Sequence, residues 1–317
     1  MHCVESNFRR GCLVAVSLGV ALLSASAQKQ NESQSGNIVY VGILDDAREE
    51  LKNWKPGTAE HRIIMPAFEK NESGWQSIKS FAPPQMNWTI AFDGKNLGAV
   101  ESRSENEADQ LNSESSRAKQ SILTPFSKIP SVGNPSTKFA GVYGFGPAKF
   151  RRPLVAVSKP YFKDPDNWKR TALPDEVASV VRAGFRRQFP HVDRCSDEEI
   201  AERDWKFPDS AIKIRAAYAS NKNSFLVATH LDAGNCGWGG HPDDPLDSFV
   251  DQWFFVGKDR ATQRIGGFDE LLDAGDYDNN GHSELIFFSL RSETSDAYDL
   301  VYGDDFQHKA ELVVRYN

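Results

Sequence analysis

Cysteine is scarce in this chain. It has four in 317 residues, and two of them, Cys3 and Cys12, fall at the very start. Cys236 and His241 have no second Cys/His pair nearby to complete a tetrahedral zinc set. Positive charge is also in deficit, with 37 Lys and Arg against 44 Asp and Glu for a formal net charge of −7. Without a basic cluster there is no electrostatic footprint for nucleic acid or anionic lipid. Long apolar runs are missing apart from Gly11 to Leu23, which is too short to span a bilayer. The familiar catalytic signatures are missing as well: no Gly-x-Ser-x-Gly elbow, His-Glu-x-x-His helix, phosphate-binding loop or dinucleotide fingerprint. Nothing in the sequence names a reaction.

What is present begins with an export signal. Arg9 and Arg10 form a basic region, Gly11 to Leu23 is its apolar stretch, and Ala25-Ser26-Ala27 supplies small residues for cleavage. Residues 1–27 are therefore expected to be a cleaved signal peptide, and the mature chain to be secreted or periplasmic, without a transmembrane segment. In that oxidising setting Cys195 and Cys236 are expected to pair. The bridge would close a loop of about 40 residues, worth roughly 3–4 kcal/mol.

The remainder, 28–317, reads as one β-rich domain. Asp93-Gly94 sits between Trp88–Phe92 and Lys95–Val100, and an Asp-Gly pair accepts the positive φ angles of a tight hairpin turn. A second hairpin is expected about Asn71-Glu72-Ser73-Gly74. Short apolar runs recur from Ile212 to Tyr316 with turn residues between them. Such spacing predicts a propeller-like fold, with a β-sandwich as the alternative. One helical excursion is expected near 174–205. Its core is a helix from Asp175 to Phe189, opened by Pro174 and an acidic first turn and stopped by Pro190. A second short helix is expected to start at Ser196. The segment 101–137 is polar at first and poor in apolar side chains, and reads as a mobile insertion.

The densest group of oxygen ligands is Gly275-Asp276-Tyr277-Asp278-Asn279-Asn280-Gly281-His282-Ser283-Glu284, running into Leu285-Ile286-Phe287-Phe288. Side-chain oxygens at loop positions 1, 3, 5 and 9, with Gly at 6, suit a hard cation that wants six to eight oxygens. Position 12 is Phe287, so the loop lacks the bidentate Glu of an EF-hand. The pattern resembles the calcium loop of FG-GAP and VCBS-type repeats, found in integrin-like β-propellers. That resemblance implies Ca²⁺ held by Asp276, Asp278, Asn280, Glu284 and the carbonyl of His282, in a structural role. Asn280 stands where the family more often has Asp, and the pattern occurs once.

A second segment, His230 to Asp244, offers His230, Asp232, His241 and Asp243 among many glycines. It is either a Gly-rich surface loop or an acid–base or metal centre. Three functional readings result. The leading one is an exported, non-enzymatic, calcium-stabilised binding or scaffold domain with a protein or glycan ligand. The alternative is a secreted hydrolase of glycans or phosphoesters using His230, Asp232 and His241. A third gives 101–137 the part of a recruiting arm.

Overall fold

A computed structural model of the chain describes residues 38–45, 61–78, 86–92, 94–102, 122–125, 154–160, 162–196, 199–233, 250–292 and 295–315. The chain divides into two units, Met1–Ile38 and Val39–Asn317, and every element below belongs to the second. The N-terminal seven strands are β1 (Val39–Asp45), β2 (His61–Asn71), β3 (Gly74–Ser77), β4 (Met86–Phe92), β5 (Lys95–Ser102), β6 (Ile122–Pro125) and β7 (Leu154–Val157). They form one sheet in the order β3-β2-β1-β7-β4-β5, with β6 added to β2. Both expected hairpins are present: Phe92 pairs with Lys95, and Asn71 with Gly74. The segment 101–137 contributes the end of β5 and all of β6; its remaining residues lie outside the described ones.

The second half opens with β8 (Lys169–Arg170), the helix α1 (Asp175–Gln188) and the small hairpin β9 (Arg194–Ser196) and β10 (Glu199–Glu202). Asp175 and Glu176 at the start of α1 and Arg186 and Arg187 at its end complement the helix dipole. The second helix expected from Ser196 is not formed. Glu199–Glu202 pairs instead with Arg194–Ser196, which satisfies the backbone of a segment too short to nucleate a helix. There follow β11 (Ile212–Ala219), β12 (Phe225–Leu231), β13 (Gln252–Val256), β14 (Thr262–Gly267), β15 (Glu270–Gly275), β16 (Glu284–Ser292), β17 (Ser295–Tyr302) and β18 (His308–Arg315). They make a five-stranded sheet, β14-β13-β12-β11-β8, and a four-stranded one, β15-β16-β17-β18.

Alternation along the strands shows how the sheets stack. Successive strand residues point to opposite faces. In β16, Ile286 joins Val41, Ile43 and Val157 of the seven-stranded sheet in one apolar cluster. Its neighbours Leu285 and Phe287 join Leu226, Ala228 and Trp253 of the five-stranded sheet in another. The four-stranded sheet therefore lies between the other two. Phe287 anchors it, stacked on Phe268 at 4.3 Å and edge-on to Trp253 at 4.9 Å. Helix α1 covers the far face of the five-stranded sheet, with Val177, Val181 and Phe185 packed against Val227, Phe254 and Val256. The fold is mainly β, antiparallel and sandwich-like among the described residues, with each large sheet open.

Candidate functional site

The expected cation loop connects β15 to β16, which lie side by side in the middle sheet. The loop is fastened at its base. Gly275 leaves no room for a side chain, since a Cβ there would stand 2.1 Å from Cε2 of Phe162. Phe162 stacks on the fully buried Tyr277 at 5.5 Å, and the Tyr277 hydroxyl donates to Asp273 Oδ2 at 3.1 Å. The amide of Asp276 donates to the carbonyl of Lys163 at 2.9 Å. Two left-handed residues, Asn279 at φ 63° and Gly281 at φ 89°, then fold the chain back on itself. Only glycine takes the second of these angles without strain.

That turn converges on carboxylates. Asp276 accepts from the amides of Asn280 and Gly281, both at 2.8 Å, one on each oxygen. Asp278 Oδ1 accepts from the Asn280 amide at 3.0 Å, and Glu284 Oε2 from the Tyr277 amide at 2.8 Å. One oxygen each from Asp276, Asp278 and Glu284 lie within 4.8 Å of one another. Asp276 and Glu284 are each only 2% exposed. Burial, with the charges of Asp278 and Asp276 added, pushes the Glu284 carboxyl up to about 8. Three acids are thus held together in a place that penalises their charge.

Of the five residues read as ligands, the structure brings four side chains together. Asn280 turns its amide nitrogen towards the acids, 3.2 Å from Asp278 Oδ2 and 3.4 Å from Glu284 Oε1, while its oxygen accepts from the His282 amide at 2.7 Å. To act as an oxygen ligand its amide must rotate about χ2. His282 lies in the same turn, but its imidazole faces outward, 3.3 Å from Asp304.

Several contributors had no signal in the sequence. Lys70, from β2, places its ammonium on Asp278 Oδ2 and stands 5.7 Å from the centre of the Trp75 ring. Ser283 donates to Asp164 at 2.7 Å, and burial raises the Asp164 carboxyl above the usual range. The Gly94 amide donates to Asp273 Oδ1 at 2.9 Å, tying the β4–β5 turn to β15. Gly94, Asp164, Trp168, Tyr218 and Asp273 line a narrow cleft where elements of all three large sheets meet.

The other candidate segment is only partly described. His230 Nδ1 lies 3.3 Å from Asp251 Oδ1, and the exposed Asp232 donates its amide to the Ala211 carbonyl at 3.0 Å. His241, Asp243 and Cys236 lie outside the described residues, as does the expected signal peptide, 1–27; Cys195 is in β9. No protein family, curated protein or solved structure matches the chain.

Proposed function

We propose that the protein is an exported, non-enzymatic binding or scaffold domain whose fold is stabilised by Ca²⁺ in the β15–β16 loop. The observation that carries this reading is the convergence of Asp276, Asp278 and Glu284, with two of the three buried. Three carboxylates repel one another, and removal from water raises the cost of each charge. A divalent cation with oxygen ligands relieves both penalties, and a flexible Gly-containing turn tolerates the irregular geometry of calcium. The role is structural because the loop joins the first two strands of the sheet on which the other two pack. Ligand chemistry is that of a protein or glycan partner.

A propeller-like organisation is part of the proposal. The strands β11–β14 and β15–β18 are consecutive four-stranded antiparallel meanders, joined through residues 268 and 269 alone. Stacked face to face, with elements of three sheets bordering one cleft, they suit neighbouring blades about an axis.

Thermal unfolding of the full chain in millimolar calcium chloride and in chelator decides the calcium reading. Calcium is expected to raise the melting temperature of the wild type and to leave Asp276→Ala unmoved. Equal melting of the wild type in both conditions would overturn it. The hydrolase alternative has one favourable contact, His230 with Asp251, which orients an imidazole as a general base requires. Turnover of chromogenic glycoside or phosphoester substrates that disappears in His230→Ala would establish it.

A further inference from the structure

We propose that Lys70 is a tethered counter-cation of the β15–β16 loop, seated on Asp278 when no divalent ion is bound and expelled when one binds. The inference rests on the calcium reading and concerns how that site is regulated. It starts from a contact outside the loop: Lys70 belongs to β2, in another sheet, and is 208 residues from Asp278 in sequence. Its ammonium meets Asp278 Oδ2, while Asp278 Oδ1, both oxygens of Asp276 and Oε2 of Glu284 receive backbone amides. The single tethered charge thus sits at one of the two cluster oxygens that receive no backbone amide, the other being Glu284 Oε1. One ammonium faces the two aspartates Asp276 and Asp278 beside the Glu284 carboxyl group, so the loop still carries an excess of negative charge.

Calcium and the ammonium compete for the same oxygen. Ca²⁺ gathers six to eight oxygens at contact distance, and Asp278 supplies one of the three carboxylates that converge in the loop. A second cation at that oxygen would meet unscreened repulsion, since the Asp278 side chain is only 5% exposed. Lys70 can leave. Its side chain is 30% exposed and sits on a flexible four-carbon stem, so the ammonium can swing into water. Its departure also removes the cation from the neighbourhood of Trp75, its cross-strand partner in the β2–β3 hairpin. Occupancy of the loop would then be felt in a different sheet.

Calorimetric titration of calcium chloride into the full chain and into Lys70→Met, at one pH and ionic strength, tests the exchange. Removing the internal competitor is expected to tighten calcium binding about two- to fivefold, the range a partly exposed ion pair supports. Equal or weaker binding by Lys70→Met would overturn the proposal and leave the calcium site standing. Failure of both proteins to bind calcium would overturn the calcium reading itself. The wild type provides a second measurement that does not depend on the variant folding. Acylation of Lys70 by an amine-reactive reagent, read by peptide mass spectrometry, should increase on adding calcium, and unchanged labelling would overturn the exchange.

Discussion

The ammonium of Lys70 rests on the carboxylate of Asp278 across 208 residues of sequence, and it joins the seven-stranded sheet to the loop of the middle sheet. Further polar links reach the middle sheet nearby, one from the seven-stranded sheet and one from the segment after β7. Gly94 of the β4–β5 turn donates to Asp273 of β15, and Ser283 at the end of the loop donates to Asp164. The loop is therefore a point where separate parts of the fold are pinned together. A cation held there would act on all of them, which is the physical basis of a stabilising role.

Asp276 is the acceptor around which the loop closes, so its removal has a cost even without an ion. Asp276→Ala strands the Gly281 amide and leaves the Asn280 amide with Asp278 as its remaining acceptor. Unsatisfied donors typically cost about 1–3 kcal/mol, less where water can enter. We expect roughly 2 kcal/mol of destabilisation in chelator by urea unfolding, and a larger difference from the wild type in calcium. Equal stability of the two proteins in calcium would contradict the placement of Asp276 in the ion site.

The loop was legible in the sequence because its four candidate side chains fall within nine residues, where spacing alone determines convergence. The two hairpins were legible for a related reason, since Asp93-Gly94 and the Asn71–Gly74 turn carry their conformation locally. Lys70, Asp164 and Asp273 were not legible. Their roles depend on sheet stacking, which places residues more than 100 positions apart in contact. Strand β14 was also hidden, because Gly266-Gly267 reads as a break where the chain in fact continues in the sheet through a register shift. The failed helix after Ser196 shows the opposite error: a local helix start outweighed by the nearest available strand partner.

Two glycines of the acidic loop, Gly275 at its base and Gly281 within it, should respond differently to alanine. At Gly275 a methyl group would lie 2.1 Å from Cε2 and 2.2 Å from Cζ of Phe162, a ring fixed by its stacking on Tyr277. Overpacking of that kind costs about 1–3 kcal/mol. At Gly281 nothing lies within 4 Å, and only the left-handed backbone, φ 89°, opposes a side chain. Gly275→Ala is expected to lose more stability than Gly281→Ala in urea melts. It should also perturb the near-ultraviolet dichroism of Tyr277, which Gly281→Ala should leave unchanged.

A second buried acid gives a test of charge pairing away from the loop. Asp299 in β17 is fully buried, with Lys309 Nζ at 3.0 Å and Arg291 Nη2 at 3.6 Å. Burial raises its carboxyl and the Lys309 charge opposes that rise. Lys309→Met leaves Asp299 with only the longer contact to Arg291 among these two cations. We expect a loss of about 2 kcal/mol, below the range for a wholly buried pair because Lys309 is partly exposed. Asp299→Asn combined with Lys309→Met should recover part of that loss, as a double-mutant cycle in urea would show.

The pH dependence of stability follows from Glu284. Its carboxyl is raised from an ordinary value of 4.5 to about 8, first by burial and then by Asp278 and Asp276. Between these values the folded chain holds a proton that the unfolded chain has released. Stability therefore falls as pH rises through that window, and the loss is complete above about 8. The sign is opposite to that of an acid stabilised by a salt bridge, whose contribution disappears on acidification. In chelator, the unfolding free energy of the wild type should decline from pH 5 to pH 8, and Glu284→Gln should lack that share of the decline. Calcium favours the ionised carboxylate and should flatten the wild-type profile. A wild-type profile in chelator that matches that of Glu284→Gln across the window would show that Glu284 is ionised at neutral pH without the cation.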